Sequence, residues 1–327
     1  MEGYIEYDNQ YKNRIQHLIN ENPEKKWLSG FYNFMNNQSQ STRYDYLRYS
    51  ISFVNFIHKE IQDICLDDYT LYLSSIENKT SSYKISVYSG LKKFSLYLYG
   101  SKKCNENYMS FIQRPKSIEN ETTIKKREQG YLNNTEMYYY IKNVQDGAGN
   151  QLSKTKQIKW KERDLLIIQL LLNTGLRCSG LFKLNINSID LDNNCLIIEE
   201  KGNKVRKILL STEIINLIID WLNVRNNILD GKYEDALFIS NQKRRMDQSS
   251  IARVVTKYSK GITNKNITPH KLRATYGTQL YRQTNDIYFV QQCMGHNNPK
   301  TTELYIRGEE NENSLKAANI MSEILFN

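Results

Sequence analysis

The chain predicts a mainly α protein in two parts, a helical N-terminal domain and an α-rich second domain with one small antiparallel sheet. Three observations predict it. Apolar residues recur at helical spacing from Trp27 to Tyr99, an almost wholly apolar run fills Leu165 to Leu172, and strand-like patterning appears only after Ile189. At 327 residues the chain is long enough for two separate cores.

The first twenty residues are polar and acidic and lack an apolar signal core, and no stretch approaches the roughly 18 apolar residues of a membrane span. Leu47, Ile51 and Val54 then form one stripe, with Ser41-Thr42 as its expected cap. Val87, Leu91, Phe94 and Leu98 form another after Ser81-Ser82. These stripes bury one face each, which leaves Arg43, Arg48, Lys84, Lys92 and Lys93 on the outer faces as candidate phosphate contacts. From Lys102 to Gln129 the composition turns polar, with Pro115, Lys116, Lys125, Lys126 and Arg127. The expected division is therefore a domain over 1–114, a linker over 115–129 and a second domain over 130–327.

Asn133 and Glu136 have the spacing of a capping box, so a helix should begin there. Asp146 to Lys161, with Gly147, Gly149 and four lysines, reads as an exposed loop. The run Leu165 to Leu172 reads as a buried helix that stops at Asn173-Thr174-Gly175 and delivers Arg177. Leu196-Ile197-Ile198 and Val205 to Leu210 predict a hairpin around Lys201-Gly202-Asn203-Lys204. Helices are expected over Thr212 to Leu222, Gln248 to Tyr258, Pro269 to Tyr281 and Asp286 to Met294.

A net charge of +10 favours a polyanionic partner without proving one. Cys65, Cys104, Cys178, Cys195 and Cys293 are odd in number and scattered. That argues against a disulfide framework or a zinc site and makes a reducing cytoplasm the expected compartment.

The chemistry lies in a dispersed set. Arg177 and Arg273 supply two guanidinium forks suited to the non-bridging oxygens of a phosphodiester, with no metal required. His270 shares a helical face with Arg273 and can bond the same phosphate or take a proton, and His296 adds a donor. Tyr305 offers a phenolic nucleophile whose ordinary pKa of about 10 demands such neighbours. A lysine at the hairpin tip, Lys201 with Lys204 in reserve, suits protonation of the leaving oxygen. Two of only four histidines fall in this set, whereas any one of the 24 tyrosines would mean little alone.

Thr174-Gly175-Leu176-Arg177, Lys201-Gly202-Asn203-Lys204, His270-x-x-Arg273, Gly295-His296, Thr301-Thr302 and Tyr305 together resemble the tyrosine recombinases, the family of phage integrases and Xer recombinases. The likeness covers roughly residues 130 to 310 and, more loosely, the helical N-terminal region. It implies a core-binding domain and a catalytic domain closing as a C-shaped clamp on double-stranded DNA, with Lys201 rather than Lys204 as general acid. It also implies a 3′-phosphotyrosine intermediate, a Holliday junction, and a homotetramer on paired sites. No cofactor is implied. The stretch Asn313 to Phe326, with Leu315, Ala318, Ile324 and Leu325, matches a tail helix exchanged between subunits. Gly180 and Ala274 depart from the family's usual acidic residue and histidine. Little chain precedes Trp27 for an arm-binding domain. Three functions stay open at this stage: a site-specific recombinase, a type IB topoisomerase-like enzyme, and a DNA-binding protein without cleavage.

Overall fold

The computed structural model describes residues 2–116, 130–149, 151–200, 204–259, 261–262 and 265–295, with backbone alone for 2–8, 200 and 204. Contacts divide the chain into two compact units, Met1–Asn120 and Glu121–Asn327.

The first unit contains α1 (Glu2–Asn20), α2 (Trp27–Phe34), α3 (Gln40–Ile57), α4 (Leu66–Ser75) and α5 (Ser81–Gly100). Its two longest stripes behave as amphipathic periodicity requires. Val87, Leu91, Phe94 and Leu98 are wholly buried on α5, which packs against α3. Aromatic rings fill the centre: Phe94 lies 4.6 Å from Trp27 and 5.1 Å from Phe31, and Phe53 stacks on Tyr69 at 4.4 Å. Full burial of one such ring stabilises by about 1.5–3 kcal/mol.

Local details differ from the sequence expectation. The polar opening segment forms α1. The caps are Ser39, accepting from the Thr42 N–H, and Thr80, accepting from the Tyr83 N–H, so each helix starts earlier than Ser41-Thr42 or Ser81-Ser82 suggests. The polar stretch after Lys102 also joins the core as far as Ile112. Cys104 and Met109 are buried, and the Tyr88 hydroxyl donates to the Ile112 carbonyl at 2.8 Å. Of the expected linker, residues 117–129 lie outside the described ones.

The second unit contains α6 (Asn134–Asp146), α7 (Gln151–Ile158), α8 (Lys161–Thr174), the single-turn α9 (Cys178–Leu181), α10 (Thr212–Leu229), α11 (Gln248–Lys257), α12 (Pro269–Thr284) and α13 (Ile287–Met294). Three antiparallel strands, β1 (Ile189–Asp190), β2 (Cys195–Glu200) and β3 (Lys204–Leu209), lie in chain order. Asn133 caps α6 in a full capping box with Glu136. The presumed loop from Asp146 to Lys161 instead holds α7. Its straight-chain residues favour helix, and it buries none of them, so apolar periodicity could not reveal it.

Helix α8 is the hub, packing against α6, α10, α11 and α12. Its first turn contains a buried polar anchor. Asp164 accepts from Arg163 at 2.8 and 2.9 Å, from Lys257 at 2.7 Å and from Tyr258 at 2.8 Å, while Arg163 donates to the Ile239 carbonyl at 2.8 Å. A buried carboxylate is tolerable only with partners of this kind.

Candidate active site

Helix α8 ends at Gly175, which takes the left-handed conformation at φ +59°. The turn accepts only glycine on two counts, since an added Cβ would also stand 2.3 Å from the Tyr276 ring. The Thr174 hydroxyl reinforces it by donating to the Leu170 carbonyl at 2.5 Å and accepting from the Leu176 N–H at 3.3 Å. Arg177 follows as the cap of α9. Its backbone carbonyl accepts from Gly180 and Leu181, and its side chain is exposed.

Helix α12 starts at the cap Thr268, which accepts from the Lys271 N–H at 3.3 Å, with Pro269 in its first turn. His270 follows one position on, accessible at the surface but partly shielded by its surroundings. Arg273, one turn later, is only 4% exposed, and that burial decides its second role. It donates to the Gly175 carbonyl and, at 2.7 Å, to the Met294 carbonyl, so it ties the end of α8 to the end of α13.

Partial burial, then the Arg273 and Arg177 guanidiniums, lower the His270 pKa below its ordinary value. The site thus brings Arg177 and Arg273 within electrostatic reach of His270 and favours the neutral imidazole, able to accept a proton. A concentration of fixed cations beside a neutral base suits a phosphodiester anion.

Tyr276 and Arg206 border this cluster. Burial, then Cys293, push the Tyr276 phenol up to about 12, opposed by Arg206 and Arg273. Neither residue stood out in the sequence, because a strand arginine and a helical tyrosine carry no motif. Lys201, His296 and Tyr305 lie outside the described residues, as do Thr301-Thr302, the tail Asn313–Phe326 and the Lys204 side chain.

The candidate phosphate contacts of the first unit are held by polar partners, by aromatic rings or, for Arg43, by both. Arg43 donates to the Gln38 carbonyl at 3.1 Å and to the Asn36 carbonyl, closing the turn before α3. Lys84 pairs with the Glu77 carboxylate at 2.9 Å. Arg43 also lies over the Tyr32 ring at 5.0 Å, and Arg48, Lys92 and Lys93 ride over the rings of Tyr44, Tyr88 and Phe34 at 5.7, 6.0 and 5.0 Å. Among the described residues, no three His, Cys, Asp or Glu side chains group as metal ligands, and no helix is long and apolar enough to cross a membrane.

Residues 148–312 match the phage integrase family. The tyrosine recombinase XerC of Caldanaerobacter subterraneus subsp. tengcongensis is 32% identical over 261 residues, which cover 77% of this chain and 67% of the relative. XerS of Streptococcus thermophilus is 32% identical over 182 residues, 54% of this chain and 51% of that one, so the chain spans about half of this relative's length. Among solved structures, the XerH site-specific recombinase bound to its palindromic difH substrate after cleavage superposes with a TM-score of 0.67 at 21% identity, over 86% of this chain and 80% of that one. The Tn1549 transposon integrase with transposon right-end DNA gives 0.63 at 19%, over 92% and 99%. At such identities the structural likeness establishes the fold.

Proposed function

This chain belongs to the phage integrase family, a family of tyrosine recombinases, and on that premise we propose a site-specific recombinase that cuts and rejoins DNA through a 3′-phosphotyrosine. The observation that carries the chemistry is the convergence of Arg177, His270 and Arg273 within the matched region. Arg177 and Arg273 hold the non-bridging oxygens of the scissile phosphate, with His296 as a further donor. The Tyr305 phenol attacks phosphorus and passes its proton to His270. The bond from phosphorus to the 5′ oxygen breaks, and Lys201 protonates that oxygen as it leaves. One phosphoester replaces another, so the step needs no external energy. Attack by the 5′ hydroxyl of a partner strand reverses it.

The partners in this reading are double-stranded DNA sites and three further copies of the chain, with the tail Asn313–Phe326 exchanged between subunits. Arg43, Arg48, Lys84, Lys92 and Lys93 are the first unit's phosphate contacts in this reading, and all but Lys84 lie over aromatic rings. The test is a nicked suicide duplex carrying the cognate site. A covalent complex should accumulate with the wild type and vanish in Tyr305→Phe. Tight binding with no adduct would leave only a DNA-binding protein, and relaxation without recombinant products would indicate a topoisomerase.

A further inference from the structure

Strand β3 alternates in exposure as a half-buried strand should, but Arg206 shares the less exposed positions with Ile208. Its apolar Val205 and Leu209 are exposed, at 63% and 80%, while Arg206 lies opposite Ile198, which is buried. Residues directly opposite in an antiparallel pair share a face, so the arginine stands on the inner side of the sheet. A guanidinium placed there must be paired, and a local rule broken this way points to a functional demand.

Arg206 donates to the carbonyl of Cys293 in the last turn of α13. A helix leaves its last four carbonyls without helical partners, here those of Gln291 to Met294. The Gly295 N–H is directed at the carbonyls of Gln291 and Gln292, Arg273 takes that of Met294, and Arg206 takes that of Cys293. The end of α13 is therefore held from within its own turn, from α12 and from the hairpin. Only the last of these links fastens β3 to α13. If it is removed, α13 keeps its other two restraints while the hairpin loses this anchor.

We propose that Arg206 is a positioning residue, one that anchors the β2–β3 hairpin to the end of α13 and so places the hairpin's general acid at the leaving oxygen. The inference rests on the assignment of that acid to Lys201. Tyr276 lies beside the same junction, within electrostatic reach of Arg206 and Cys293. It links the hairpin anchor to the Gly175 turn that it covers.

The experiment uses the full chain and two suicide duplexes, one ordinary and one with sulfur replacing the bridging 5′ oxygen at the scissile phosphate. A thiolate departs without a proton, because a free thiol ionises near pH 8.5 whereas an alcohol does not. On ordinary DNA, Arg206→Ala should slow adduct formation on the order of 10²-fold, the usual cost of a misplacement of about 1 Å, with DNA affinity unchanged. On the sulfur-bridged duplex both Arg206→Ala and Lys201→Ala should react within about threefold of wild type. Arg206→Lys, which keeps one cation able to reach a carbonyl, should recover part of the ordinary rate and serves if the alanine variant does not fold.

If Lys201→Ala is rescued by sulfur while Arg206→Ala stays equally slow on both duplexes, the anchoring role is overturned and the acid assignment stands. If Lys201→Ala is not rescued, the acid assignment fails and the inference with it. Wild-type rates for Arg206→Ala on ordinary DNA would also overturn it.

Discussion

The two units solve the same packing problem with different chemistry. In the first, rings of Trp27, Phe31, Phe53, Tyr69 and Phe94 fill the core, and among the candidate phosphate contacts Arg43, Arg48, Lys92 and Lys93 ride over aromatic rings. In the second, arginines reach inward to backbone carbonyls. Arg163 holds Ile239, Arg225 holds Ala236, Arg245 holds Phe182 and Leu184, and Arg273 holds Gly175 and Met294. Every helix leaves its last carbonyls open. In the first unit Arg43 closes a turn at the surface, whereas in the second unit the forked guanidinium reaches carbonyls in the interior. In the second unit an arginine is therefore ambiguous evidence for catalysis until its burial and partners are known.

The largest expected effect tests the aromatic side of this contrast. Phe94→Ala removes a buried ring in contact with Trp27 and Phe31 and should destabilise the first unit by about 3–5 kcal/mol. Hydrogen exchange followed by mass spectrometry should show the loss confined to residues before 117. If protection falls equally in α8 and α12, the two units do not fold as separate cores.

The arginine side is sharpened by comparing Arg273 with Arg177. Both should lose on the order of 10²–10³ or more in the rate of covalent adduct formation. Their stabilities should differ. Arg273→Ala strands two carbonyls in the interior and should cost about 2–4 kcal/mol, whereas exposed Arg177→Ala should stay within about 0.5 kcal/mol. Urea unfolding of the two variants decides it. Equal stability would show that the Arg273 clamps contribute little, and that its burial serves the phosphate alone.

A smaller effect is expected at the turn between them. Gly175→Ala imposes a left-handed φ costing about 1–2 kcal/mol before the Tyr276 ring is displaced. Adduct formation should fall with it, because the same turn aims Arg177. A variant as stable and active as wild type would show that the turn can be rebuilt.

Much of this was legible in the sequence because period and motif report local physics. The stripes of α5, the uniform run of α8 and the capping box at Asn133 each announce an element through burial or a cap. Helix α7 leaves no apolar period because it buries none of its residues, whereas in α1 the short stripe of Ile15, Leu18 and Ile19 is masked by the polar residues around it. Arg177, His270 and Arg273 were legible because their spacing is a motif. The inward turn of Arg206 was not, since only strand register and the neighbouring Cys293 carbonyl distinguish it from a surface cation. The double use of Arg273 was hidden for the same reason.

The smallest effect concerns the proton. In the folded protein partial burial, Arg273 and Arg177 hold the His270 pKa below the ordinary value of about 6.5. The unfolded chain therefore binds this proton more readily than the native one. As pH falls from the ordinary value toward the lowered one, this residue subtracts stability, and above that window it contributes nothing. The same depression keeps the imidazole neutral, and so able to accept the Tyr305 proton, to lower pH than an isolated histidine would allow. Titration of the His270 ring by NMR, assigned with His270→Gln, should place its midpoint below the ordinary value, and Arg177→Ala should raise it. A midpoint at or above the ordinary value, or one indifferent to Arg177, would mean that the guanidiniums do not tune this base, and the acid limb of cleavage would need another owner.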